Sequence, residues 1–205
     1  MLDMSLPALL LASALLPSEG VVSGWLPEAA AGRFWVMGDR FRAEASDRGL
    51  EVRPGSKFTM VRFPGARLRW RTEGSESTIV SRAGSASWVS RTDLRAVRAY
   101  PGIDIVLRSG RGSVKAEFEA APNADLSRIR YCFSGARPRA GPTAKTLIID
   151  DDWREEGLRA WQTTADGERR LVEARYIVRG ECVRYNYRRR VDRPLRRRAH
   201  DKFPS

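Results

Sequence analysis

AYPGIDIVLRSGRGSVKAEF, residues 99–118, is the stretch whose reading decides the fold. It offers either a site, with Asp104 beside a glycine-rich loop, or two strands around a turn. Ile103, Ile105 and Leu107 alternate with Asp104, Val106 and Arg108, and after SGRG the residues Val114, Ala116 and Phe118 alternate with Lys115 and Glu117. Period two on both sides of a short glycine-bearing connection is a hairpin with one buried face. A phosphate-cradling loop needs a helix directly after its glycines, so that amide dipoles converge on the anion; SVKAEF is a strand pattern instead. SGRG is therefore a connection. Pro101 and Gly102 set the turn that starts the first strand, and Asp104 points outward, able to accept backbone amides of the preceding turn.

The same design recurs on both sides. RFWVM (33–37) faces RFRAEA (40–45) across Gly38-Asp39, and GLEVR (49–53) follows a turn at Asp47-Arg48. KFTMVRF (57–63) and ARLRWRT (66–72), joined by Pro64-Gly65, read as one more hairpin. EGSESTIVSRAGSAS (73–87) is polar and small and reads as a loop with a short strand near residues 78–81. Further along, RIRYCF (128–133), KTLIID, LRAWQT, RLVEARYIV and CVRYNY supply strands, with GARPRAGPTA (135–144) as a loop and Asp166-Gly167 as a hairpin tip. No stretch after residue 25 holds a helical apolar period. The expectation is an all-β, predominantly antiparallel, β-sandwich-like domain of roughly ten short strands. Its core is drawn from Phe34, Val36, Phe41, Leu50, Val52, Val61, Phe63, Ile103, Ile105, Leu107, Phe118, Ile129, Tyr131, Phe133, Leu147, Ile149, Tyr176 and Val178.

With 205 residues the chain suits one such domain and short tails. Three parts are read: residues 1–24, an apolar N-terminal segment; 25–187, the β-domain; and 188–205, an arginine-rich tail. The first has the h-region shape of a secretory signal peptide, with an apolar run from Leu6 to Leu16 too short to span a bilayer, but carries Asp3 and no basic residue ahead of it. A buried N-terminal segment and a misplaced start codon are the other readings. The formal net charge is +12, and the tail alone contributes +6 from seven arginines and Lys202 against Asp192 and Asp201. Arginine outnumbers lysine heavily, which genomic base composition can produce, so the position of the charge matters more than its amount. Cys132 and Cys182 each lie opposite the large apolar residues of a strand-like run. They pair if those strands are neighbours and are two separate thiols otherwise.

No constellation specifies chemistry. Asp150, Asp151 and Asp152 point to alternating faces without Ca²⁺-loop spacing and read as the turn after a strand. His200, the sole histidine, sits in the basic tail rather than in a packed pocket, as a nucleophile's base would require. Asp104, Glu117, Glu119 and Asp150 leave a carboxylate-only glycosidase formally open, but no spacing pairs them. The tail residues Arg188, Arg189, Arg190, Arg193, Arg196, Arg197 and Arg198, after Tyr185 and Tyr187, have the content of a polyanion-binding arm, including one for nucleic acid; a solvated tail is the plainer reading. Trp88, Trp153 and Trp161 would suit sugar stacking if exposed. No cofactor and no metal is called for.

YPGIDIVLRSGRGSVKAEFEAAPNADLSRIRYCFSGA (100–136) and the later AWQ, DG, RR and VEARYIVRG (172–180) resemble a bacterial N-terminal β-domain of uncharacterised function found ahead of SBBP-type β-propeller repeats in secreted and surface proteins. The likeness runs from Tyr100 to Leu195, ending in Arg193-Pro194-Leu195, and is weaker before it. The resemblance implies an exported, periplasmic or cell-surface module, structural or adhesion-associated and non-enzymatic, in a free-standing or truncated copy without repeats. Its partners would be other surface modules or polysaccharide, with no transmembrane segment. It brings no catalytic residues.

Overall fold

A computed structural model describes residues 22–27, 32–38, 41–54, 58–80, 87–110, 113–151, 153–163 and 167–187. Residues 1–21 of the expected signal segment, the arginine arm with its seven named residues, His200 and Asp152 lie outside the described residues. Within them the chain is almost entirely antiparallel strand, and its helix is one 3₁₀ turn, Leu126–Arg128. A sandwich-like all-β domain is what the alternation required.

The strands are β1 (Val22–Pro27), β2 (Phe34–Met37), β3 (Phe41–Ser46), β4 (Gly49–Pro54), β5 (Thr59–Arg62), β6 (Trp70–Val80), β7 (Ser87–Tyr100), β8 (Ile103–Gly110), β9 (Ser113–Ala120), β10 (Arg130–Ser134), β11 (Arg139–Ala140), β12 (Leu147–Asp150), β13 (Trp153–Glu155), β14 (Ala160–Thr163), β15 (Arg169–Val172), β16 (Ala174–Arg179) and β17 (Cys182–Tyr187). The main sheet runs β16-β17-β10-β5-β4-β3-β2-β1-β7-β8-β9, with β6 also paired to β7. β1 hinges its two halves, meeting β2 at Leu26↔Trp35 and β7 at Trp25↔Arg91. The halves close on one core. Phe118 of β9 meets Phe63 and Tyr185 edge-on, with ring centroids 6.3 and 5.7 Å apart. Trp25 donates its indole N–H to the Leu107 carbonyl at 3.2 Å, and Trp70 donates to that of Ser46 at 2.8 Å, so the two largest core rings satisfy their polar ends. A small sheet, β11-β12-β13, covers Phe133 with Trp153, and β14-β15 form a separate two-stranded ribbon.

The 99–118 stretch is the hairpin β8–β9, in register from Ile103↔Ala120 to Gly110↔Ser113. Ser109 and Gly110, expected in the connection, belong to β8. Every expected core residue is buried or packed against the buried cluster. Val106 is a correction: assigned to the solvent face, it is fully buried. It lies between Arg95 and Glu117 in register, under long charged side chains whose stems cover it.

Other expectations are revised. Residues 73–77 are not loop but the continuation of β6, paired to β7 across a bulge between Glu73 and Glu76, and the short strand expected near 78–81 is its end at Val80. This strand extends beyond the core and so shows no apolar alternation. Pro64-Gly65 does not close a hairpin: β5 pairs with β4 and β10, and β6 with β7. The turn is a corner between sheet halves, with Gly65 at φ +80° and the Ala66 N–H donating to the Phe63 carbonyl. RLVEARYIV is two strands, β15 and β16, broken at Glu173. The boundary placed between residues 24 and 25 falls inside β1, whose pairing begins at Val22↔Met37. Cys132 and Cys182 are directly opposite on β10 and β17 and joined in a disulfide.

Candidate functional site

Asp104 was the first candidate, and the fold places it in a lattice of charges on the outer face of β6–β9. β7 carries a bulge before its turn, with Arg98 at φ +50°. Asp104 Oδ1 accepts the Arg98 N–H at 2.7 Å, while Oδ2 accepts from Arg95 Nη1 at 3.0 Å. Gly102, at φ +73°, completes the turn after Pro101; a Cβ there would come within 3.2 Å of Ala124 Cβ. Pro101, Gly102 and Asp104 together shape the chain reversal.

Arg95 is the centre of the lattice. Besides Asp104 it donates to Glu73 at 2.7 Å and Glu119 at 2.7 Å, joining β6, β7, β8 and β9 through one guanidinium. Arg108 adds contacts to Asp93 and, at 2.9 Å, to Glu117, and Arg71 and Arg91 pair with Glu73 and Glu76. The bond to Glu119, then that to Glu73, raises the Arg95 pKa further above its ordinary value. The Arg95 hydrogen bond holds the Glu73 carboxyl below the usual carboxylate range. Glu73 is thus a fixed acceptor for Arg95.

A second cluster went unread in the sequence. Glu155 of β13 turns its carboxyl inward, where Oε2 accepts from Tyr131 at 2.9 Å and Tyr176 at 3.2 Å. Tyr185 stacks at 5.9 Å from Tyr131 and 5.8 Å from Tyr176. The three rings come from adjacent strands β10, β17 and β16. Burial pushes the Glu155 pKa up, against the opposing effect of the two phenol donors, and raises all three tyrosines. No cation faces Glu155 among the described residues. The available signal was the alternation of Tyr131, Tyr176 and Tyr185 on inward faces, since buried phenols require acceptors. Chemically the cluster can hold a proton; its direct effect is to pin β13 onto β10 and β16.

The remaining candidates are dispersed. Asp150 ends β12, and its Oδ1 accepts the Asp151 N–H at 2.7 Å; no group of three metal-ligating side chains occurs among the described residues. Trp153 packs on Phe133 with centroids 5.6 Å apart. Trp161 is half-exposed on the β14–β15 ribbon with the Arg169 guanidinium 5.1 Å from its ring centroid. The Trp88 side chain lies outside the described residues. No described helix is long and apolar enough to cross a membrane.

A family model described as "Domain of unknown function (DUF7948)" matches residues 71–195, more than half of the chain. The chain belongs to that family. No curated protein and no solved structure matches it. The DUF7948 match runs from β6 through β17 and so takes in the Arg95 lattice, the Glu155 cluster and both cysteines, leaving β1–β5 before it.

Proposed function

We propose that this DUF7948 chain is a non-catalytic structural or adhesion-associated module of an exported or cell-surface bacterial protein, of the kind that precedes SBBP-type repeats. The observation that carries this reading is the Cys132–Cys182 disulfide across adjacent strands, because such bonds persist in oxidising compartments and are rare in the cytosol. The lattice supports the structural part: Asp104, Glu117 and Glu119, three of the four acids considered for a glycosidase beside Asp150, each bind arginine. Export by a cleaved leader is compatible with β1 only if cleavage falls before Val22, since later cleavage would trim a paired strand.

Mass spectrometry of the protein from its native host, alkylated before and after reduction, tests the reading. The expected result is a new N-terminus upstream of Val22 and cysteines that alkylate only after reduction. An intact Met1 together with two freely alkylated thiols would reject export.

A further inference from the structure

The outer face of β5, β10, β17 and β16 differs from the lattice face. The register sets its side chains in rows: Arg179, Cys182, Cys132 and Arg62 form one across four strands, and Ile177, Arg184 and Arg130 form the next. Arg175 opposite Asn186 begins a third. Five arginines thus share a solvent-facing surface with the disulfide at its centre. None of Arg62, Arg130, Arg175, Arg179 and Arg184 has a carboxylate partner among the described residues. The nearest acids in the sheet are engaged elsewhere or peripheral: Glu51 binds Arg53, and Glu181 lies in the β16–β17 turn.

Arg130 and Arg184 are direct cross-strand partners, a like-charge pairing that destabilises a sheet unless an anion sits between them. Backbone positions on neighbouring strands lie about 5 Å apart, and alternate residues of one strand about 7 Å, so these arginines are rooted on a grid suited to a chain of regularly spaced carboxylates or sulfates. Beside it, Arg179 and Arg184 border a depression of about 590 Å³ whose other walls include Asn123, Asn186 and Ser127. Side-chain amides and hydroxyls next to cations match the hydroxyl-rich, charged surface of an acidic sugar. Asp125 also lines it, held by Ser127 and Arg128 at 2.6 and 3.3 Å. Tyr131, Tyr176 and Tyr185 pack on one another, and no aromatic residue stands in the arginine rows; Tyr185 and Tyr187 border only the depression beside them, so the rows lack the stacking platform that single-stranded nucleic acid uses.

We infer that this face binds an acidic polysaccharide, with Arg62, Arg130, Arg175, Arg179 and Arg184 as its cationic grid. The choice of polysaccharide over nucleic acid rests on the exported reading as well as on the missing stacking platform. The arginine arm would add unspecific attraction, whereas the grid has fixed spacing.

The test is calorimetric or surface-based binding of the full chain to polygalacturonate, single-stranded RNA and neutral dextran across a salt series. The expected order is polygalacturonate above RNA, with no dextran binding and affinity falling steeply with salt. The pair R130E/R184E should weaken polygalacturonate binding at least about tenfold, while changing the seven arm arginines to Gln should weaken both polyanions alike and by less. If R130E/R184E does not fold, R175A/R179A in the unaltered background carries the same expectation at reduced size. Unchanged polygalacturonate affinity in a folded grid variant would overturn the inference, and tighter binding of RNA would assign the face to nucleic acid. Free thiols in the native host with grid-dependent binding intact would reject export alone, so the two failures are distinguishable.

Discussion

Two faces of the same domain treat arginine in opposite ways. On β6–β9 each of Arg91, Arg95 and Arg108 meets carboxylates of neighbouring strands, Arg71 meets Glu73 on its own strand, and the charges close into a lattice over buried Val106. On β5–β10–β17–β16 five arginines stand without carboxylate partners among the described residues, two of them directly opposed, and a disulfide links β10 to β17. Composition alone cannot separate these uses, because both contribute equally to the +12 charge. Register separates them. The lesson is that a basic residue is structural or available according to what the neighbouring strand places beside it.

Removing the cross-link should have the largest effect. The disulfide closes a loop with a sequence separation of 50, so C132A/C182A is expected to lose about 4 kcal/mol in denaturant unfolding. A loss under 1 kcal/mol would mean that the free-arginine face is held mainly by its backbone ladder. On the other face, Arg95→Ala leaves Glu73, Asp104 and Glu119 facing one another, and should cost about 2 kcal/mol. Arg95→Lys should recover only part, because an ammonium cannot reproduce the fork. By contrast Arg184→Ala should change stability by less than about 0.5 kcal/mol, or raise it slightly by relieving Arg130. Equal losses at Arg95 and Arg184 would erase the distinction.

The acids sharpen the comparison through pH. Glu73 titrates low beside Arg95, so its contribution is present above the ordinary carboxylate pKa and lost as pH falls through the lowered value. Glu155 titrates high, so folding favours its protonated form: its contribution is present in acid and is lost as pH rises through the raised value. Thermal unfolding of E155Q should therefore show a flatter fall of stability on the alkaline side than the parent, with little difference near pH 4. A parallel pH profile would place the Glu155 carboxyl in water.

Much of this was legible in the residues. The beat of Ile103, Ile105 and Leu107 fixed a hairpin and its buried face, and the same rule found the core positions on β2, β4, β5, β10 and β12. It failed where a neighbour decides the outcome. Val106 reads as exposed because no local pattern shows that Arg95 and Glu117 flank it. Residues 73–77 of β6 read as loop because that part of the strand has no core to face, and its partner is β7, whose polar alternation hides it too. Pro64-Gly65 has turn chemistry, which serves a corner as well as a hairpin. The arginine grid leaves no mark in the sequence because its rows join residues from 62 to 184, whereas the contiguous run after residue 187 is conspicuous. Glu155 carries no sequence mark at all.

The central claim, that one face immobilises its guanidinium groups and the other leaves them free, is most directly tested by nuclear magnetic resonance of the arginine side-chain Nε–H groups. Hydrogen exchange at Arg95 and Arg108 should be strongly slowed, and at Arg62, Arg130, Arg175, Arg179 and Arg184 close to that of a solvated arginine. Protection of the second group in the ligand-free protein, or rapid exchange at Arg95, would contradict the account.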